Sequence, residues 1–371
     1  MLDEHLGYIA DLVRSERFRQ AIARTIGPGD CVVDAGCGFG VLGLMCLQAG
    51  AGHVWGIDQT AAVTIARDTM DRAGFGTRYT CIRESTFRAT MPDRVDVIIC
   101  DHVGYFGLDY GVVALLDDAR RRFLKPGGKI MPQRIRLMLA GATSTPARKE
   151  AEAWSGATVP SEYHWLRDHG IGAKRRCTFS MDDIVTAPQP LGTIDLRESN
   201  PAHFSFKTEF QADNDGMLDG FAGWFECELA DDVWMTNSPL APDRIDRPQV
   251  FLAFDQPIAV RAGDRIEAGI SIRPEDGLIG WTVRAPHDGR RQKYSNWGDR
   301  ALAPGDLVAQ ADRVPRLSTV GTARRILYTY LDGQRTLAEI ERAMLADHPG
   351  LFPTTQELAR FIRSECSRST A

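Results

Sequence analysis

Four groups of residues in this chain have the types and spacing to do chemistry together. The apolar run CVVDAG carries Asp34 and leads into Gly36-Cys37-Gly38-Phe39-Gly40 and an apolar helical stretch from Val41 to Ala49. A second run, HVWGID, ends in Asp58, and a third, VDVIICD, ends in Asp101 beside His102 and ahead of Tyr110. Glycines in such a loop let the backbone approach a ligand and take turns that side chains forbid. A carboxylate at Asp58 can accept two hydrogen bonds from ribose hydroxyls. The loop spacing is G-x-G-x-G, not the G-x-G-x-x-G of dinucleotide sites, and an acid precedes it. Such an acid repels a pyrophosphate but can receive the α-amino group of S-adenosylmethionine, directly or through water. S-adenosylmethionine is the cofactor this pattern favours, with S-adenosylhomocysteine as product. A nicotinamide cofactor and a purely structural turn stay open on the residues alone.

The elements that must position these groups follow from periodicity. Leu12 to Ile26 reads as a helix stopped by Gly27-Pro28-Gly29. Ala61 to Ala73 and Val112 to Phe123 read as further helices, the latter stopped by Lys125-Pro126-Gly127-Gly128. Strands alternating with helices predict βαβ units and a mostly parallel sheet. After Pro132 the period becomes two: Phe204, Phe206, Thr208 and Phe210 share a face, as do Phe225, Cys227 and Leu229, and Ile266, Ala268, Ile270 and Ile272. That alternation predicts an antiparallel sheet or barrel. Near the end, Thr322 to Leu331 is helical, and Thr336 with Glu339 and Thr354 with Glu357 have capping-box spacing.

Composition excludes several classes. With 371 residues, 43% hydrophobic and 25% charged, the chain has material for two or three domains and a sizeable core. No apolar run approaches the length of a membrane helix, which argues against a membrane partner. A net charge of −5 argues against a nucleic-acid partner. The start, MLDEHLGYIADLVR, has acids where an export signal has a basic flank, so a cytoplasmic protein is expected. Cys31, Cys37, Cys46, Cys81, Cys100, Cys177, Cys227 and Cys366 form no CxxC pair, which points to reduced, mostly buried thiols and no metal site.

The segments MLDEHLGYIADLVRSERFR, VVDAGCGFG, DHVGYFGLDYG, FLKPGGKIMPQR and GWFECEL together resemble the protein arginine methyltransferase-like class I enzymes, over roughly residues 5–275. The resemblance implies an α/β architecture: a Rossmann-like methyltransferase domain at 1–132, then an antiparallel β-barrel substrate domain at 133–310. A helical arm at about 150–175 would make a head-to-tail homodimer. It also implies roles. Arg14 would clamp the methionine carboxylate, as a guanidinium fork does well. Asp11 would stand beside the reaction centre, Asp58 would bind ribose, and the adenine contact would fall near Glu84-Ser85-Thr86. With Asp34, Gly36, Gly38 and Gly40 these form the expected cofactor set.

The chain departs from that family at the acceptor. The family holds a guanidinium between two glutamates; here Asp101 takes the first position and Tyr110 the second, with Asp109 adjacent. The family's Thr-His-Trp loop is replaced by Arg244-Ile245-Asp246, and its tyrosine-bearing lid helix is expected to be missing. A guanidinium needs acceptors on both edges. Asp101 as acceptor, Tyr110 as orienting hydroxyl, and Asp11 and His102 as further candidates suit an amine instead.

Residues 311–371 are expected to form a small helical, winged-helix-like domain. Their T-A-x-x-I-L…L-D-G-x-R-T-x-x-E-I pattern, from Thr322 to Ile340, resembles the pyrroloquinoline-quinone peptide-chaperone family, whose modules recognise leader peptides. The combination resembles the daptide-type methyltransferases of ribosomal peptide natural-product pathways. The expected activity is N-methylation of a peptide amine. The alternatives are arginine methylation with an Asp101–Asp109 pair, O-methylation of a small molecule, and a non-catalytic peptide-binding scaffold.

Overall fold

Two helices precede the first strand because Asp11 interrupts the helical run. Its carboxylate caps the second helix by accepting the Arg14 N–H at 2.9 Å. Helix α1 spans Leu2–Ala10 and α2 spans Leu12–Thr25. The structure is a computed structural model that describes residues 2–287, 289–298 and 314–369. It divides into two compact units, Met1–Ala303 and Pro304–Ala371.

The first unit opens with β1 (Cys31–Ala35), α3 (Val41–Gln48), β2 (His53–Ile57), α4 (Ala62–Arg72), β3 (Tyr79–Ile82), β4 (Val95–Ile99), α5 (Val112–Phe123) and β5 (Leu124–Met131). The strands form a parallel sheet in the order β3-β2-β1-β4-β5. Strand order reverses between β1 and β4, and ligands of such sheets bind outside the strands' carboxyl ends at that point. Asp34, Asp58 and Asp101 stand at the ends of β1, β2 and β4. Helix α5 ends at Phe123, ahead of the Lys125-Pro126-Gly127-Gly128 run, which lies inside β5 beside a register shift against β4.

From Arg134 onward the unit is antiparallel. Strand β6 (Arg134–Ala142) leads into a helical excursion with α6 (Thr145–Ala151) and α7 (Arg167–Gly172), then β7 (Arg175–Cys177), β8 (Gln189–Asp195) and β9 (Phe204–Gln211). Strands β10 (Gly216–Ala230), β11 (Val233–Thr236), β12 (Gln249–Val260), β13 (Arg265–Arg273), β14 (Leu278–Arg284) and β15 (Arg291–Ser295) follow. They form a six-stranded sheet, β7-β12-β10-β6-β8 with β11 on β10, and a four-stranded sheet, β15-β14-β13-β9.

The antiparallel strands expected after residue 132 are present as two ladders, bridged at Thr186–Ala212 and adjoining where β8 meets β9 and β12 meets β15. Period-two patterning fixes which face is buried but not whether the ends of a sheet meet. Aromatic side chains join the two sheets: Phe210 lies 5.6 Å from Phe221, and the Trp281 indole donates to the Ala253 carbonyl at 3.0 Å.

The second unit holds α8 (Thr319–Tyr328), α9 (Leu337–Asp347) and α10 (Thr355–Ser369) around Leu327, Ile340, Met344, Leu358 and Ile362. Thr336 and Glu339 form the full capping box, while Thr354 caps the Glu357 N–H at 3.2 Å. Arg324 clasps Glu365 through two 2.6 Å bonds. No strand occurs among the described residues of this unit, so the expected winged-helix likeness is reduced to its helices. The expected boundary near residue 310 lies outside the described residues.

Candidate active site

A cavity of about 470 Å³ opens at the carboxyl ends of β1, β2 and β4, within the range of small-ligand sites. Its floor is the glycine loop. Gly36 and Gly38 take φ of +73° and +52°, and a Cβ on either would collide with a ring, His102 at Gly36 and His5 at Gly38. Gly40, at φ +78°, starts α3. The loop must therefore be glycine on both steric and conformational grounds.

The roof was not expected. Helix α1 covers the cavity with His5, Tyr8 and Ile9, and His5 stacks on Phe39 with ring centroids 3.9 Å apart. A tyrosine-bearing helix over the site is thus present, as a correction to the expected absence. Leu2, Leu6 and Ile9 stand at helical spacing along it and are exposed, so the helix is not anchored by a buried apolar stripe.

The cavity brings together Arg14, Asp34, Gly36, Gly38, Asp58, Asp101, His102 and Tyr110 of the expected set. Asp58 accepts the Gly38 N–H at 3.0 Å and both the N–H and hydroxyl of Thr60. Asp34 is buried and accepts the Gly43 N–H at 2.9 Å. Burial raises its carboxyl to about 7; the Gly43 bond opposes the rise, while the neighbouring Asp58 charge adds to it. Cys37 lines the same wall, and burial, then the Asp34 charge, push its thiol far up.

Asp101 is the most constrained residue of the site. Its Oδ2 accepts from Arg14 Nε at 2.6 Å and from Arg247 Nη2 at 2.9 Å, while its buried Oδ1 has no partner among the described residues. Burial alone would raise its pKa, but the Arg14 and then the Arg247 guanidinium outweigh burial and hold the carboxyl below its usual range. Next to it, His102 is held neutral by burial, which lowers its pKa, and its Nδ1 has no partner among the described residues.

Gly40 stands just behind the lining, and three further residues lie elsewhere. Glu84 is outside the cavity lining and bonds the Ser85 N–H and the Arg88 guanidinium. Asp11 uses one oxygen to cap α2 and the other to accept the Asp246 N–H at 2.9 Å. It lines a second cavity of about 240 Å³ with Arg176, Arg247, Tyr105 and Asp246. Asp109, the alternative partner for Asp101, is turned into its own loop. It accepts the Tyr105 and Phe106 N–H groups at 2.9 and 2.7 Å and pairs with Lys174.

Tyr110 and Tyr8 line both cavities. Tyr110 sits in the left-handed region at φ +58°, a strained conformation for a tyrosine, and its hydroxyl accepts from Arg176 at 3.1 Å. The loop that carries it is tied to the antiparallel sheet by Asn237, whose amide donates to the Tyr105 carbonyl at 2.9 Å. Arg247, Arg176 and Lys174 gave no sequence signal, because each is an ordinary cation far along the chain from the loop it serves.

The donor set fits S-adenosylmethionine. Arg14 presents a guanidinium for a carboxylate, Asp34 a carboxyl for an ammonium, Asp58 a carboxylate for ribose, and the glycine loop a surface that admits backbone contact. A methyltransferase-domain family matches residues 32–128. Protein arginine N-methyltransferase 6 of Xenopus laevis is 25% identical over 291 residues, covering 73% of this chain and 84% of that protein. Protein arginine N-methyltransferase 1 of Dictyostelium discoideum is 26% identical over 280 residues, covering 73% and 82%. The Trypanosoma brucei PRMT1 enzyme–prozyme heterotetrameric complex with AdoHcy superposes with a TM-score of 0.72 at 21% identity, covering 80% of this chain and 98% of that one. The chain is a class I S-adenosylmethionine-dependent methyltransferase, distantly related to the protein arginine methyltransferases.

Proposed function

We propose that the enzyme N-methylates an amine of a peptide substrate. One observation carries the reading: Asp101 has both arginines on Oδ2 and a single free acceptor, Oδ1. One free acceptor suits one N–H of an amine, whereas a guanidinium presents donors along both edges. Tyr110, in place of a second acid, offers a hydroxyl already held by Arg176, and Asp109 is committed to Lys174.

When bound, S-adenosylmethionine supplies an electrophilic methyl, so that an N–C bond forms as the C–S bond breaks and the thioether product remains. The protein's part is positioning and proton management. Freeing the lone pair of an ammonium with a pKa near 10 costs about 4 kcal/mol at pH 7. The arginines keep Asp101 ionised, so it orients the nitrogen and does not take its proton. His102, which burial keeps neutral and whose buried Nδ1 has no partner among the described residues, is the candidate base. Tyr8 and Tyr110 separate the cofactor cavity from the second cavity, where the acceptor would enter.

The natural-product setting, with the helical second unit holding a leader peptide, rests on sequence resemblance. The names of the relatives favour a second reading, arginine methylation. The two are told apart by incubating the enzyme and S-adenosylmethionine with one peptide carrying a free amine and another carrying arginine. A gain of about 14 or 28 Da on the amine peptide alone is expected, one or two methyl groups replacing hydrogens. Turnover of the arginine peptide alone would overturn the proposal.

A further inference from the structure

We propose that Arg247 is a specificity-determining residue, a guanidinium of the protein's own that occupies Asp101 and excludes a substrate guanidinium. The inference deepens the amine reading above and rests on it. Asp101 lines the cofactor cavity and Arg247 lines the second cavity, and their 2.9 Å bond stands where the two meet. An acceptor that enters through the second cavity therefore meets Arg247 before it meets Asp101.

The guanidinium is firmly placed. Arg247 Nη1 donates to the Gly104 carbonyl at 3.1 Å, so the side chain bridges the acceptor loop and the carboxylate at its start. Its charge lies 5.4 Å from the Tyr8 ring centroid, and Arg14 lies 5.7 Å from the same ring. Its side chain is only 10% exposed.

Occupancy of the acceptor decides what Asp101 can hold. The second cavity is lined by Asp3, Asp11 and Asp246 as well as Arg176 and Arg247, so a cation is not turned away at its mouth. At Asp101 itself, Arg14 and Arg247 fill Oδ2, and a third guanidinium, which needs acceptors on both edges, finds only Oδ1. An amine needs one acceptor and can shed its proton. Arg247 therefore selects between two nitrogen acceptors by holding the oxygen a guanidinium would need.

The test compares kcat/KM for an amine peptide and an arginine peptide in the wild type, Arg247→Ala and Arg247→Gln. The expected result is a shift of the ratio towards arginine by about tenfold or more, with arginine turnover rising in absolute terms. General damage lowers both rates and leaves the ratio in place; an unmoved ratio would overturn the proposal. If the wild type already prefers arginine, the amine reading fails by itself, while the direction of the ratio change still reports on Arg247.

A binding measurement covers substitutions that abolish turnover. Calorimetry with ethylguanidinium on the S-adenosylhomocysteine-loaded protein should show binding to the variants and none to the wild type. Equal binding by all three would count against the assignment.

Discussion

At the scale of single residues, Asp34 links cofactor affinity to pH. Its carboxyl is raised to about 7, first by burial and against the Gly43 N–H. An ammonium partner needs the ionised form. Below pH 7 binding must displace a proton, and affinity should fall by up to about tenfold per pH unit. Calorimetric titration of S-adenosylhomocysteine between pH 5.5 and 8.5 should show affinity rising to a plateau, and Asp34→Asn should flatten the profile. Asp101 has the opposite sign. Its carboxyl is depressed, so its contribution to stability is present above the unfolded carboxylate range and lost as pH falls through the folded value. Asp101→Asn leaves two buried guanidiniums short of a counter-charge and should cost about 3–5 kcal/mol in denaturant unfolding. That variant should also weaken cofactor binding, because Asp101 fixes Arg14.

At the scale of elements, the acceptor loop between β4 and α5 is held from outside itself. Lys174, just before β7, pairs with Asp109, and Asn237, after β11, takes the Tyr105 carbonyl. Burial would lower the Lys174 pKa, but the Asp109 charge overrides it and keeps the amine protonated. Lys174→Met should strand a buried carboxylate and cost about 3–5 kcal/mol. Hydrogen exchange should then show lost protection at the Tyr105 and Phe106 amides, while those of β1 and β2 keep theirs.

Such anchors explain what could be read from the chain. The glycine loop, Asp34 and Asp58 were legible because they are local: one strand, one turn, one helix start. Arg247 was not, since it lies 146 residues from Asp101 and its meaning exists only after folding. Helix α1 was not expected over the site because its place as a roof depends on contacts made only after folding, such as His5 on Phe39, and alternation predicted the antiparallel strands without saying how the two sheets meet.

At the scale of the whole molecule, the excursion around α6 and α7 carries Trp154, Tyr163 and Trp165, all exposed. Large aromatics grouped on one projection are the usual anchors of protein interfaces. A homodimer formed through this arm is the proposal that follows. Sedimentation should find a dimer whose dissociation constant rises by about tenfold or more in Trp165→Ala, since one buried aromatic contributes over 1 kcal/mol. A wild-type monomer at all concentrations would remove the arm from that role. Among the described residues no helix is long and apolar enough to cross a membrane, and no group of side chains could hold a metal ion.

Cys37 bears on how the enzyme survives its own reagent. Sulfur is an avid target for alkylation, and this one sits in the cradle where a methyl donor would rest. Only the thiolate is the effective nucleophile, and the surroundings that suit the donor also keep this proton in place. A thiol that keeps its proton there is a poor competitor for the methyl, and loss of activity on incubation with S-adenosylmethionine alone should not track Cys37.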